Sequence, residues 1–366
     1  MFPATRVAEL LGTRYPIVQA PMAGGLTTPE LVAAVSNAGG LGSIGGALLA
    51  PEELREAITA VRRLTDRPFG VNLFAPLSPA KVDEEAVAAM SAVLAPFRAE
   101  LGLPEPEGAP SSPPSIVADL IAVVAEERVP VFSFTFGIPP FEPAKEAGAV
   151  ILGTATTAGE AAELEMRGVD AVVVQGSEAG GHRGTFLSSF DQSLVGGIAL
   201  VPQVTDRVAI PVLLAGGLMD GRGIAAAFAL GAEGVQLGTA FLGCPESGAP
   251  ELYRRALAGA ADDATVVTAV YTGRPARAIR GAFVDVIEES GARPLPFPLQ
   301  GLVAMDIRRA AATRERTDLL FLLAGQGAGM VRNLPAGELV EALVQETEET
   351  IRRLAHDASN STPARS

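Results

Sequence analysis

Eight short, almost continuously apolar runs punctuate the first 240 residues and constrain the fold more than any other feature. They lie at 17–20, 42–45, 69–73, 131–134, 149–152, 171–174, 212–215 and 234–237. A run without polar alternation reads as a strand covered on both faces. Four of them follow a proline, Pro16, Pro68, Pro130 and Pro211. Proline fits a strand's first position, where no ladder donor is needed. Helical patterns fill the gaps. Thr28 and Pro29 open one at 28–37, and Pro51 with Glu52 and Glu53 opens another at 51–64; a capping hydroxyl, an early proline and first-turn acids all suit a helix start. Two more, at 157–167 and 221–230, end at Gly168 and Gly231, as helices often do. Alternating strand–helix units imply a parallel sheet, and eight of them close a TIM (β/α)8 barrel. An open doubly wound sheet is the alternative, but its glycine fingerprint follows the first strand. Here that strand runs into Pro21-Met22-Ala23-Gly24-Gly25.

Two regions break the repeat. Residues 79–128 read as an insertion after the third strand, with two helical stretches around a Pro/Ser/Glu-rich link. Residues 246–311 read as a smaller cap domain: a helix, an irregular or β segment near 265–283, and the proline-rich loop 294–298. The barrel spans 1–245 and is completed by a C-terminal helical stretch, 312–356, amphipathic from 338. The polar tail 357–366 is expected to be disordered.

The formal net charge is −14, which repels nucleic acid and anionic membrane. No apolar run approaches the ~20 residues of a membrane-spanning helix. Residues 1–16 lack the long apolar core of a signal peptide. A single cysteine, Cys244, allows neither an intramolecular disulfide nor a cysteine metal cluster. The setting this implies is reducing and cytoplasmic, with Cys244 a small packing residue. A homodimer is an admissible assembly.

In a barrel of this type the chemistry gathers at the C-terminal strand ends. Those ends hold Pro21, Met22 and Ala23; Gly45 and Gly46; Asn72; Ser133 and Thr135; Thr154; Gln175; Gly216 and Gly217; and Gln236, Leu237, Gly238 and Thr239. Carboxamides at Asn72, Gln175 and Gln236 can donate and accept at once, as the edge of a flavin ring requires; each could instead cap a neighbouring loop. The loops after strands seven and eight are where barrels bind phosphate, through backbone N–H groups and a helix N-terminus. Gly216, Gly217 and Gly238 let a phosphate approach without a Cβ in the way, and Thr239 adds a hydroxyl.

After the sixth strand comes Gln175-Gly176-Ser177-Glu178-Ala179-Gly180-Gly181-His182-Arg183-Gly184-Thr185-Phe186. The chain has two histidines. His356 ends the C-terminal helix, where a cation suits the dipole. His182 lies over the barrel mouth, and histidine is the side chain suited to moving a proton near neutral pH. No second histidine or carboxylate cluster accompanies it, so no metal is expected.

These segments together resemble the nitronate monooxygenases, historically called 2-nitropropane dioxygenases. The likeness runs from Gln19 to Gly25, through Gln236 to Thr239, to Ala324-Gly325-Gln326-Gly327, and is most specific at Glu178 to Gly184. It implies an FMN-dependent barrel with a smaller second domain. Asn72, Gln175, Gly180, Gly217 and Gln236 to Thr239 match FMN-binding positions, and His182 matches the active-site histidine. The implied substrate is an alkyl nitronate or nitroalkane together with O2. The nitronate gives an electron to oxidised FMN, oxygen captures the radical pair, and a carbonyl compound and nitrite leave; NAD(P)H is not needed. His182 would pair with the anion as imidazolium, with Arg183 the competing cation, or would abstract the α-proton of a nitroalkane. The segment around 294–298, with Leu295 and Phe297, would close over the flavin. Enoyl-acyl-carrier-protein reductases share the fold and the Gly-Gly-His loop, so two alternatives stand: an NAD(P)H-dependent flavin reductase acting on quinones or enoyl thioesters, and a non-catalytic flavin-binding barrel. One branch of the family carries Lys and Asp at the ends of strands five and six, where Thr154 and Gln175 stand here.

Overall fold

The computed structural model describes residues 2–105, 108 and 110–360. Every one of the eight apolar runs is a strand. They are β1 (Ile17–Gln19), β2 (Gly42–Gly45), β3 (Phe69–Phe74), β4 (Val131–Thr135), β5 (Val150–Ala155), β6 (Ala171–Gln175), β8 (Val212–Ala215) and β9 (Gly234–Leu237). Their order is β1-β9-β8-β6-β5-β4-β3-β2, parallel throughout. The seam between β1 and β2 is joined through Leu41: the Gln19 N–H donates to Leu41 O and the Leu41 N–H to Ile17 O, each at 2.9 Å. Gln19 reinforces the seam, its buried Oε1 accepting the Ser43 N–H at 3.0 Å.

Alternate residues face opposite ways along each strand, so the strands feed two packed layers. Ile17, Val71, Phe132, Val172 and Leu214 pack outward under the helices. Val18, Val131, Leu152, Val173 and Leu213 fill the barrel interior, where they meet Val7 and Leu11. The helix Arg6–Leu11, capped by the Thr5 hydroxyl, therefore plugs the N-terminal end. The opposite end is left for the site.

A second sheet stands over that end. It contains β7 (Gly181–His182), β10 (Thr265–Thr268) and β11 (Ala276–Ile279), antiparallel in the order β10-β11-β7. Residues 181–182 had read as loop, because two residues carry no polarity pattern. They become a strand by borrowing a partner from the cap. The cap core gathers Val270, Tyr271, Phe283, Leu299 and Ile307.

Three boundaries differ from the sequence reading. The insertion 79–128 is divided between the two cores: the helix Glu84–Glu100 packs Val87, Met90, Leu94 and Phe97 into the cap, while Val117–Glu126 packs Leu120, Ile121 and Val124 on the barrel. A buried Arg98–Asp306 ion pair, at 2.9 Å, ties the first helix to the cap. The stretch 312–335 is not one helix: the cap helix Met305–Thr313 ends there, and two single turns follow before the helix Ala336–Asn360. The expected tail disorder fails for 357–360, which continue that helix; 361–366 lie outside the described residues. The last helix buries Leu339, Val340 and Leu343 in the barrel's outer core.

Candidate active site

The chain after β6 is held over the barrel mouth from both sides. Above, Ala276 of β11 pairs with His182, and Arg277 with Gly181. Below, Gly184 rests on β4 and β5: a Cβ there would lie 2.8 Å from Thr135 Oγ1 and 3.0 Å from Thr154 Cγ2. Gln175 clamps the loop, its Oε1 accepting the Gly184 N–H at 2.8 Å and its Nε2 donating to His182 O at 2.9 Å. That engages both ends of the carboxamide, leaving one Nε2 proton for any ligand. Sequence reasoning offered this amide either to the flavin or to a neighbouring loop; the two bonds it makes here are to the loop.

Glu160 anchors the far end of this loop, and sequence reading missed it. It is fully buried in the helix Ala158–Met166, and its carboxylate accepts five hydrogen bonds. Thr156 gives its N–H and hydroxyl at 2.7 Å each, Thr185 its hydroxyl at 2.8 Å, and Phe186 and Leu187 their N–H groups at 2.6 and 3.0 Å. Burial pushes its pKa up, but these donors outweigh burial and hold it below the usual carboxylate value. Thr156 is local, but the Thr185, Phe186 and Leu187 donors lie 25 to 27 residues away, so no local pattern announces the loop anchor.

His182 sits among aromatic rings. Phe136 and Phe297 each lie 5.8 Å from its ring centroid and Phe321 lies 6.0 Å away, all edge-on. Its Nε2 faces Thr272 Oγ1 at 2.8 Å, and Nδ1 has no protein partner among the described residues. Burial, then the charges of Arg274 and Arg308, push its pKa down to about 4. The imidazole is therefore neutral near pH 7, against the expected imidazolium. Arg183 is not the alternative cation either. It is buried, and its guanidinium donates to Gly176 O at 2.7 Å, Gln175 O at 3.1 Å and Ser193 O at 2.6 Å. The cations that reach the cage are Arg274, 3.9 Å over the Phe136 ring, and Arg308, 5.1 Å over Phe321. A cavity of about 320 Å³, lined in part by Phe136, Phe186 and Arg274, opens on the Arg274 side.

The glycine loops meet at the same end. Gly216 and Gly217 adopt φ of 119° and 72°, conformations open to glycine, and the Gly217 and Leu218 N–H groups meet no acceptor among the described residues. Met22 lies beside Gly238, its Sδ 3.9 Å from where a Cβ would be, and a Cβ on Gly45 would strike Ala23 N at 2.6 Å. So the Pro21–Ala23 turn sits between β2 and β9. Asn72 Nδ2 donates to Ser133 Oγ at 2.8 Å, leaving Oδ1 open; the Gln236 carboxamide has no protein partner among the described residues. Thr239 Oγ1 accepts the Gly325 N–H at 3.0 Å and keeps its own proton to donate. The Glu178 carbonyl accepts the Gln326 N–H at 3.0 Å, and a Cβ on Gly180 would strike Gly325 N at 2.6 Å. The segment Ala324–Gly327 thus ties the histidine loop to the glycine loops.

Two expectations change here. The helix Gly221–Ala229 does not offer its N-terminus to a phosphate: Asp220 caps the Arg222 and Gly223 N–H groups, and Glu346 takes the Gly221 N–H at 3.0 Å. Leu237 is a core residue, with its carbonyl taken by the Ala20 N–H at 2.8 Å. Leu295 is buried and Phe297 reaches His182, so the 294–298 segment roofs the site rather than linking surface elements. Burial pushes the Cys244 thiol up to about 12, leaving it inert. Among the described residues no group of ligands suits a metal and no helix is long and apolar enough to cross a membrane.

Fold and site together define a β/α barrel roofed by a cap, with His182 held between the barrel mouth and that cap. The chain belongs to the nitronate monooxygenase family, whose model matches residues 5–346. It is 44% identical over 355 residues to a probable nitronate monooxygenase of Staphylococcus saprophyticus, covering 96% of this chain and 99% of that one. A Staphylococcus aureus protein of the same description is 41% identical, with 96% and 99% covered. Among solved structures, nitroalkane oxidase from Streptomyces ansochromogenes superposes with a TM-score of 0.87 at 40% identity, over 95% of this chain and 99% of that one. FabK from Thermotoga maritima gives 0.77 at 34% identity, over 97% and 99%.

Proposed function

We propose that this protein binds FMN at the barrel mouth and oxidises alkyl nitronates with O2 to a carbonyl compound and nitrite. The observation that carries the reading is His182, caged by three phenyl rings in a loop that the Ala324–Gly327 segment ties to the glycine loops with open N–H groups. The residues fit FMN. The Gly217 and Leu218 N–H groups and the Thr239 hydroxyl would hold the phosphate; Asn72 Oδ1 and the Gln236 amide would face the ring edge. Bound there, FMN would supply a one-electron acceptor for the nitronate. Atoms balance when one O2 serves two nitronates and yields two carbonyls and two nitrites.

The chain's own part is positional and electrostatic. The Phe136, Phe297 and Phe321 rings exclude water from the reacting carbon. Arg274 and Arg308 supply positive potential to an anion entering an acidic protein. His182 Nδ1 is the free nitrogen, able to take a proton from a neutral nitroalkane, while Thr272 fixes the ring through Nε2. The negative charge that develops on the nitro group as the proton leaves would raise the imidazole's pKa.

The cofactor assignment is tested by heat release and mass measurement. FMN should appear; FAD, or no flavin in the folded protein after FMN reconstitution, contradicts the assignment. Gly217→Val should fail to retain FMN, because the side chain is strained at this φ and its Cβ would lie 3.2 Å from Glu178 Cβ beside the phosphate loop.

A further inference from the structure

Most of the arginines shielded from solvent are spoken for. Arg98 pairs with Asp306. Arg183 and Arg274 donate to loop carbonyls, and Arg277 to Ser177 O and Thr265 Oγ1. Arg308 differs. It is half-buried on the cap helix Met305–Thr313. Among the described residues its guanidinium has neither a carboxylate partner nor a hydrogen-bond acceptor, and it is the one shielded arginine in that condition. Burial lowers its pKa, so the protein bears a cost to keep a bare cation there. It stands over the face of Phe321, with Cζ 5.1 Å from the ring centroid. Phe321 in turn stands edge-on to His182 and stacks on Tyr271 at 4.6 Å, which fixes the ring that carries the cation. A planar fork with five unused donors matches a planar oxyanion in shape as well as charge.

We infer that Arg308 is the substrate-recognition residue of this site: its guanidinium receives the two oxygens of the anionic nitro group and selects the nitronate over the neutral nitroalkane. This rests on the nitronate reading proposed above. Arg274 supplies potential but has committed Nε and Nη2 to the carbonyls of Arg183 and Thr185, at 3.2 and 2.7 Å. Phe321 acts through Arg308 and is a positioning residue.

The test compares the FMN-loaded wild type with Arg308→Met and Arg308→Lys. Nitrate, a planar oxyanion of similar shape, serves as a probe that needs no turnover. Calorimetry should show nitrate binding weakened roughly 10–100-fold in Arg308→Met, partly restored in Arg308→Lys. The KM for nitronate should rise by a similar factor, while the KM for neutral nitroalkane stays within about twofold of wild type. The melting temperature of Arg308→Met should hold or rise, since a half-buried charge without a partner carboxylate is removed; a structural arginine would lower it. Equal nitrate affinity in wild type and Arg308→Met, or no nitrate binding by wild type at all, overturns the inference. Loss of nitrate binding in Arg308→Met by an enzyme that turns over no nitronate keeps the anion seat and refutes the nitronate reading instead.

Discussion

A histidine among three phenyl rings and two arginines gains a proton reluctantly. The ordinary imidazole value is ~6.5, and in the fold burial followed by Arg274 and Arg308 takes His182 to about 4. Between these values the unfolded chain holds the proton and the folded chain does not. Stability is therefore lost as pH falls from about 6.5 toward 4, by at most ~3 kcal/mol. NMR titration of the ligand-free protein should show the His182 ring unprotonated from pH 5.5 to 8, the signal assigned by its absence in His182→Asn. A midpoint near 6.5 would restore the imidazolium role. The neutral ring also orders the substrates: His182→Asn should cut nitroalkane turnover by ~10²–10⁴ and leave most of the nitronate turnover. Full activity on both would reduce His182 to a loop residue. Glu160 makes the second residue-scale claim. Glu160→Gln replaces an acceptor with a donor facing N–H groups, and should cost ~2–4 kcal/mol in urea unfolding, with the loop at 185–187 the first to gain proteolytic sensitivity. His182 itself was legible from Gly180-Gly181-His182. Its electrical state was not, because Phe136, Phe297, Phe321 and the arginines arrive from distant segments.

Strands that are apolar throughout announce themselves, and β1 to β6, β8 and β9 were readable to within three residues. Prolines marked where β1, β3, β4 and β8 begin. The strand β7 could not be read, since its two residues gain that conformation only from Ala276 and Arg277 of the cap. The same loop supplies a contrast between neighbouring glycines. A Cβ on Gly180 would lie 2.6 Å from the backbone of Ala324 and Gly325, which cannot swing aside, whereas Gly181 faces open space at φ of 81°. Gly180→Ala should lower stability by ~1–3 kcal/mol through overpacking and weaken flavin retention by parting the histidine loop from Thr239. Gly181→Ala should cost only the ~1–2 kcal/mol of a left-handed residue and leave retention intact. Thermal melts and bound-flavin absorbance read both; equal retention in the two variants would mean that the Ala324–Gly327 tie does not hold the cofactor loops.

Across the whole molecule, the barrel supplies the cradle and the cap supplies the cage, so neither core alone makes the site. The division was only partly legible. The helix Glu84–Glu100 meets its partners Phe283, Leu299 and Ile307 some 200 residues downstream, a pairing no window along the chain can show. The barrel places loops with open N–H groups under His182; the cap closes Phe297, Phe321 and Arg308 over it. Under the proposed function a small anion sits there against FMN, and no nicotinamide is needed. Anaerobic mixing of the FMN-loaded protein with an alkyl nitronate, and separately with NADH, tests this most directly. Loss of the oxidised-flavin absorbance with nitronate, followed by carbonyl and nitrite release when O2 is admitted, with no reaction toward NADH, is the predicted result. Bleaching by NADH with the nitronate inert would contradict the account and make the protein a nicotinamide-dependent reductase.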